Sequence, residues 1–304
     1  MSNAIKVCTY NIAGGINEDN RFYNNRGTPQ TARRVAVARN NLDQIAQRLA
    51  DENVDIVALQ EVDVCWNGDD TLREADYLAD ALSMNVCYQP SFDYNLLGRA
   101  RVTTGVATLS RQPIVDSAEI RFPQRHVGLK NRFKNRLLGA KKALRTRHVA
   151  GDVDLTIINA HLTHGSPRQR DLELQLLLDA CADADRVVLA GDLNTTPLPT
   201  RADDMLEPHS FRTDRCMELL AQFRAHHGER FQYDARLGEF GADEPAGFAQ
   251  VLSYPSDAPA IKLDYLFGYS RDGSLVMAPE AVLNLTVSNH APVVATVRIQ
   301  HPGE

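Results

Sequence analysis

Apolar residues recur along this chain in two rhythms. Short, almost unbroken runs of β-branched and aliphatic residues occur at 5–11 (IKVCTYN), 54–60 (VDIVALQ), 104–110 (TGVATLS), 155–162 (LTIINAHL) and 186–192 (RVVLAGD). Runs of that length without polar alternation are what strands covered on both faces require. Two further strand-like runs, KLDYLFGY (262–269) and PVVATVRI (292–299), lie near the end. Between the strands the period changes. Ala38, Leu42, Ile45 and Leu49 follow one another in steps of four, three and four, which places them on one helical face and predicts a helix over 31–52. A second predicted helix, over 166–184, opens on Ser166-Pro167, a cap residue followed by proline in the first turn. Leu174, Leu177, Leu178 and Cys181 continue it at helical spacing.

Strands and helices intermix throughout, with no Gly/Ser-rich linker and no repeat period. The pattern predicts a single α/β domain over 1–304, with its sheets packed between helices. Long polar connections are expected at 13–30, 63–71, 121–142 and 194–250, and connections of that length in a compact domain are usually functional.

Composition narrows the classes. The 304 residues are 43% hydrophobic and 24% charged, an ordinary soluble balance with ample material for a core. A net charge of −6 gives no global basic field toward nucleic acid or acidic membranes. The five cysteines (Cys8, Cys65, Cys87, Cys181, Cys216) are scattered and odd in number, which argues against a disulfide framework and for a reducing compartment. The opening MSNAIKVCTYN has neither a basic region nor a long apolar core, and no stretch reaches the ~18 apolar residues of a membrane span, so a cytoplasmic location without stable membrane insertion is expected. Serine-hydrolase and P-loop readings fall away for lack of a G-x-S-x-G elbow or a Gly-rich phosphate loop.

The chemistry gathers at strand ends. The first strand closes on Asn11, the second runs into Glu61, LTIINAHL delivers His161, and VVLAGDLN delivers Asp192 and Asn194. Side chains at i and i+2 of an extended chain share a face, so Asp192 and Asn194 project together. Asp264 interrupts the apolar KLDYLF run, where a carboxylate needs a partner, and a histidine such as His290 in SNHAPV is the natural one. Taken singly, each residue has an ordinary structural explanation as a turn former, a solvated carboxylate or a hydrogen-bonded histidine. Strand ends of α/β sheets are nevertheless where sites are built, because the sheet holds side chains rigidly while loops give access.

The ordered set TYN, LQEVD, INAHL, GDLN, LDYLF and SNHAPV, spread from about residue 5 to residue 299, resembles the endonuclease/exonuclease/phosphatase superfamily, in its deoxyribonuclease- and sphingomyelinase-like branches. The resemblance implies an α/β four-layer sandwich, two packed mixed β-sheets flanked by helices, and divalent-metal-dependent cleavage of phosphate esters. By the same resemblance Glu61 is the principal metal ligand with Asn11 beside it, and Asp192 orients or deprotonates the attacking water. Asn194 donates to the phosphoryl oxygens, Asp264 holds His290, and His290 and His161 bracket the scissile phosphate. One departure stands out: the family usually has Ser-Asp-His where this chain has Ser288-Asn289-His290. An amide keeps the shape but loses the charge, so Asn289 is a doubtful metal ligand and a second metal position is in question.

Elementary chemistry agrees. Hydrolysis of an anionic diester needs positive charge at the developing oxyanion. Mg²⁺, with Mn²⁺ as the alternative, takes carboxylate and amide oxygens, whereas zinc would want thiolates or clustered histidines that His161 and His164 on a strand-to-loop stretch do not supply. The expected partner is a phosphate-ester substrate, nucleic acid or phospholipid headgroup, with no protein partner evident. Between Arg121 and His148 there are ten Lys/Arg and no Asp or Glu, and Phe122 and Phe133 within that stretch suit base stacking or shallow lipid contact. Trp66 is a further substrate-contact candidate. The leading expectation is a phosphodiesterase; a phosphomonoesterase on a phosphorylated lipid or inositol and a catalytically weakened binding protein remain open.

Overall fold

The structure is a computed structural model that describes residues 4–16, 32–66, 71–94, 101–150, 153–196, 215–237 and 248–300. Among the described residues fourteen strands form two sheets. One contains β1 (Ala4–Asn11), β2 (Ile56–Trp66), β3 (Leu72–Arg73), β4 (Asn85–Asp93), β5 (Arg101–Ser110), β12 (Leu275–Met277), β13 (Ala281–Val282) and β14 (Val293–Ile299), with path order β12-β14-β1-β2-β5-β4. The other contains β6 (Ile114–Arg121), β7 (Lys142–Ala150), β8 (Val153–His161), β9 (Arg186–Asp192), β10 (Phe231–Gln232) and β11 (Asp264–Ser270), ordered β10-β11-β9-β8-β7-β6. Each sheet is mixed, since β1 and β2 run parallel, as do β8 and β9, among antiparallel neighbours.

The unbroken apolar runs are explained by burial on both faces. Ile5, Val7, Ile56 and Ala58 of the first sheet meet Leu155, Ile157, Val188, Ala190 and Leu266 of the second in a buried seam between the sheets. Their alternate neighbours face outward under helices. On the first sheet Cys8, Val57 and Leu59 lie under α1 (Ala32–Asp51) and α2 (Glu74–Leu82), which contribute Leu42, Ile45, Leu49, Leu78 and Leu82. On the second, Ile158, Val187 and Leu189 lie under α4 (Pro167–Ala182) and α5 (Cys216–His227), which contribute Leu174, Leu177, Leu178 and Leu220. The result is the expected four-layer sandwich.

Three expected loops are partly regular. β2 continues through residues 63–66, α3 (Leu129–Leu138) occupies the middle of 121–142, and α5 lies within 194–250. α3 is not legible because Leu129, Phe133 and Leu137 face solvent, so no core-facing stripe announces it. β6 escaped notice for a related reason: as an edge strand it is exposed along most of its length.

Polar atoms fix the sheets to one another near the strand ends. Asn159 Nδ2 of β8 donates across the seam to Leu59 O (3.0 Å) and Ala107 O (2.8 Å), and its Oδ1 accepts from Gln60 Nε2 at 2.8 Å. Gln60 also donates to Thr9 Oγ1 at 3.1 Å. Buried amides satisfied in this way tolerate no sliding, because each shift would orphan a polar group. The clamp adjoins Glu61 on one sheet and precedes His161 by two residues on the other. Gly191 brings β9 close to β8: its φ is 154°, and a Cβ there would lie 1.9 Å from Ala160 O. Only glycine fits, and the approach sets Asp192 in register with His161.

Candidate active site

The residues singled out by sequence lie at one end of the sandwich. Asn11 ends β1, His161 ends β8, Asp192 ends β9, and Asp264 begins β11 directly opposite Asp192 in the antiparallel ladder. Glu61 sits in β2 at a β-bulge: Gln60 pairs with Val106 and Val62 with Gly105, leaving Glu61 as the extra residue. Its φ of 53° is unusual for a side chain of this size, and Asn194 shares it at 51°. Backbone held in that region costs on the order of 1 kcal/mol or more per residue and concentrates at functional sites. Both residues line a cleft of about 470 Å³, together with His161, Asp192, Asn289 and His290. Asn11 and Asp264 are buried and reach that cleft through their neighbours.

Asp192 is the hub. Its Oδ1 accepts the Asn194 backbone N–H at 2.9 Å. Its Oδ2 accepts from Asn11 Nδ2 at 3.0 Å and lies 3.4 Å from His161 Nε2 and 3.8 Å from His290 Nε2. Glu61 Oε1 joins the group, 3.4 Å from the same Asn11 nitrogen and 3.9 Å from His161 Nε2. Asn194 Nδ2 donates to Leu162 O at 3.0 Å, which ties down the loop after β8 and employs one of its two amide hydrogens. Asn289 lines the cleft, and its backbone oxygen accepts Ser256 N–H at 3.0 Å.

The two histidines differ electrostatically. His290 Nδ1 bonds Asp264 Oδ2 at 2.8 Å. Burial works against its charge, but Asp264, Asp192 and Glu61 outweigh it and raise its pKa to about 9, so it is an imidazolium at neutral pH. His161 is pushed down to about 4 by burial and by Lys141, against the pull of Asp192 and Glu61, so it is neutral. One cleft therefore holds a fixed cation and a neutral imidazole around a shared carboxylate oxygen. His164, also at the cleft, is lowered by burial and Lys141.

Several contributors were not visible in the sequence. Ser253 donates to Asp264 Oδ2 at 2.7 Å and accepts the Leu263 and Asp264 N–H groups at 3.2 Å, so it fixes the carboxylate that holds His290. Tyr254 sets its ring 4.9 Å from that of His290. Ser288, already singled out within SNHAPV, donates to Asn11 O at 2.6 Å. A serine before an aromatic residue in a loop carries no pattern that marks it. Lys141, read only as part of a basic stretch, lines the cleft and donates from Nζ to Leu162 O. Phe122, by contrast, is buried in the outer core and is not available to a substrate. The side chain of Trp66 lies outside the described residues.

The donor set suits a hard cation. Two buried carboxylates, Glu61 and Asp192, converge on a single amide nitrogen, and every nearby donor besides the histidines is oxygen or amide. Asn11 Oδ1 accepts Ala13 N–H at 3.1 Å, so ligation through that oxygen requires the amide to turn over. A second buried cluster, Asp63, Cys65 and Glu74, has ligand atoms within 4.8 Å of one another, but none of its members lines the cleft.

The sequence profile of the Endonuclease/Exonuclease/phosphatase family matches residues 8–290. The chain belongs to this family. A curated Caenorhabditis elegans protein named "Putative neutral sphingomyelinase" is 28% identical over 171 residues, which are 51% of this chain and 36% of that protein. The match thus spans little more than a third of the relative's length. Among solved structures, an endonuclease/exonuclease/phosphatase of Beutenbergia cavernae is similar over 98% of this chain and 72% of its own, with a TM-score of 0.68 and 17% identity. Humanized TDP2 of D. rerio is similar over 98% and 100%, with a TM-score of 0.58 and 14% identity. At these identities the solved structures establish the family's fold in this chain. Members of this family are phosphoester hydrolases, and in this chain the buried carboxylates Asp192 and Asp264 lie within 4.8 Å of each other and of His290.

Proposed function

We propose that this protein is a divalent-metal-dependent phosphodiesterase. The observation that carries the reading is the convergence of Asn11, His161 and His290 on one oxygen of Asp192, beside Glu61. A phosphate seated beside the two imidazoles leaves room for a water between phosphorus and that oxygen, on the Asp192 side. Asp192 takes the water's proton as the hydroxyl attacks phosphorus, and the ester oxygen opposite leaves as an alkoxide that takes a proton from solvent to become an alcohol, giving a phosphomonoester. His290, charged and oriented through Nδ1 by Asp264, presents Nε2–H to the phosphoryl oxygen that gains charge. His161 and the free amide hydrogen of Asn194 support neighbouring oxygens. Mg²⁺ or Mn²⁺ held by Glu61 with Asn11 would supply further positive charge to the same oxygens. Asn289, an amide where the family usually has a carboxylate, is assigned substrate contact rather than a second metal.

The diester preference rests on the walls. Phe92, Tyr94, Tyr254 and Leu263 line the cleft alongside the polar cluster and offer apolar surface to a second ester substituent. The nematode relative's name points the same way, toward a phospholipid-type diester. The single-domain organisation over 1–304 and a cytoplasmic setting belong to this proposal; that none of the five cysteines is in a disulfide is consistent with the latter. Among the described residues no helix is long and apolar enough to cross a membrane.

Initial rates on bis(p-nitrophenyl) phosphate and on p-nitrophenyl phosphate, with Mg²⁺, Mn²⁺ or EDTA, test this directly. Diester turnover abolished by EDTA is expected. Preference for the monoester would make the protein a phosphatase, and no turnover of either ester with ligand binding retained would make it a binding protein.

A further inference from the structure

Among the described residues six large apolar side chains are exposed, and three of them belong to one ten-residue helix. Leu129, Phe133 and Leu137 of α3 are 83%, 67% and 56% exposed. They follow one another at intervals of four, so they form a single stripe along the helix. Scattered apolar residues on a surface need no explanation, but an aligned stripe does. Of the other seven residues of the helix four are basic, Lys130, Arg132, Lys134 and Arg136, and none is acidic. Of the flanking cations, Arg121 and Lys142 are paired with Glu119 and Arg147 with Asp154, so the charge of α3 itself is the part without an acidic counterpart in its own helix.

The helix stands at the cleft. Directly after it, Gly139 bridges Phe92 of β4, approaching so closely that a Cβ at Gly139 would lie 2.2 Å from Ser91 O. Ser91 and Phe92 line the cleft, and Lys141, two residues beyond Gly139, lines it as well. The C-terminal end of α3 is thus joined to the cleft wall.

We propose that α3 docks the protein onto anionic lipid surfaces, lying in the plane of the interface with Leu129, Phe133 and Leu137 inserted among the headgroups. A helix of ten residues, about 15 Å long, is too short to span a bilayer but suited to lie on one. Charge complementarity selects the partner: four cations within one helix, with no acid to offset them, match a negative surface. Two of the three stripe residues are leucines, which gain from hydrocarbon and offer no ring for base stacking, so lipid is favoured over nucleic acid. A second copy packed on the same face would bring eight cations together and repel itself. Docking by α3 would present the cleft to phospholipid headgroups. That consequence, unlike the docking itself, rests on the phosphodiesterase reading.

Flotation of the full chain with phosphatidylcholine vesicles, with and without about a third phosphatidylserine, tests the proposal. The wild-type chain is expected to float with the phosphatidylserine vesicles and to be released by high salt. The triple variant Leu129→Ser/Phe133→Ser/Leu137→Ser should bind at least ~tenfold more weakly. A charge variant, Lys130→Glu/Arg132→Glu/Arg136→Glu, should lose the preference for phosphatidylserine. All six positions are outside the catalytic cluster, so turnover of soluble bis(p-nitrophenyl) phosphate should remain within about twofold and report a folded cleft. Wild-type failure to bind vesicles, or equal binding by the triple variant, would overturn the proposal. So would single-stranded DNA binding or dimerisation that the triple variant abolishes in a chain that ignores vesicles. Vesicle binding without diester turnover would leave docking intact and remove the enzymatic reading; turnover without vesicle binding would do the reverse.

Discussion

Asp192 gathers more of the site than any other residue, and its two oxygens are differently employed. Oδ1 is committed to the Asn194 backbone, while Oδ2 faces Asn11, His161 and His290. An Asp192→Asn change keeps the first contact and removes the proton acceptor, so turnover is expected to fall at least ~10²-fold with the melting temperature little changed. His161→Ala should cost a similar factor. Near-normal diester rates in either variant would show that the roles are assigned wrongly. At this scale the sequence was informative where a polar residue directly follows or interrupts an apolar strand, as Asn11, Glu61, His161, Asp192 and Asp264 do. It was silent on Ser253 and Tyr254, which come from a loop and gain meaning only when the fold carries them to Asp264 and His290. It was equally silent on the left-handed backbone of Glu61, which is set by a bulge in pairing with β5.

Elements were legible in proportion to how deeply they are buried. The strands of the inter-sheet seam and the core-facing stripes of α1 and α4 announce themselves by composition and period. β6 lies at an edge and α3 turns its apolar face outward, so the burial that creates a readable pattern is missing. Tertiary pairing was not legible at all: nothing in LTIINAHL says that Asn159 would reach across to Leu59 and Ala107. That clamp makes a prediction at the scale of elements. Asn159→Ala removes the side-chain donor to two carbonyls in a dry seam and one of the acceptors of the Gln60 amide, which keeps Thr9 and Ala58, at a cost of about 2–4 kcal/mol in a denaturant titration. Because β2 and β8 bring Glu61 and His161 together, diester turnover of the folded fraction should fall too. A loss below about 0.5 kcal/mol would mean the sheets are held in place by apolar packing alone.

For the molecule as a whole, a second inter-sheet contact ties stability to pH. His148 of β7 is buried, bonded through Nε2 to Thr146 Oγ1 (2.8 Å) and through Nδ1 to Ser110 Oγ (3.0 Å) of the opposite sheet. Burial lowers its pKa to about 4, from about 6.5 for an ordinary histidine. Below pH 6.5 the unfolded chain therefore takes up a proton that the folded chain refuses. Stability from this group is full above that pH and is lost as pH falls toward 4, by up to about 3 kcal/mol. Other groups titrate in the same range, so the informative quantity is the difference between wild type and His148→Gln. The wild type's advantage, measured by urea unfolding, should shrink by about 2 kcal/mol between pH 7 and pH 5. A constant difference would show that His148 is free to charge in the folded state.

In the proposed reading, side chains from both sheets meet around one hard cation and one water-activating carboxylate. Electron paramagnetic resonance of Mn²⁺ titrated into the wild-type chain and into Glu61→Gln tests it most directly. Mn²⁺ should bind the wild type, be displaced by Mg²⁺, and bind Glu61→Gln at least ~tenfold more weakly while the circular dichroism spectrum stays unchanged. Equal Mn²⁺ affinity in the two proteins, or none in the wild type, would contradict it.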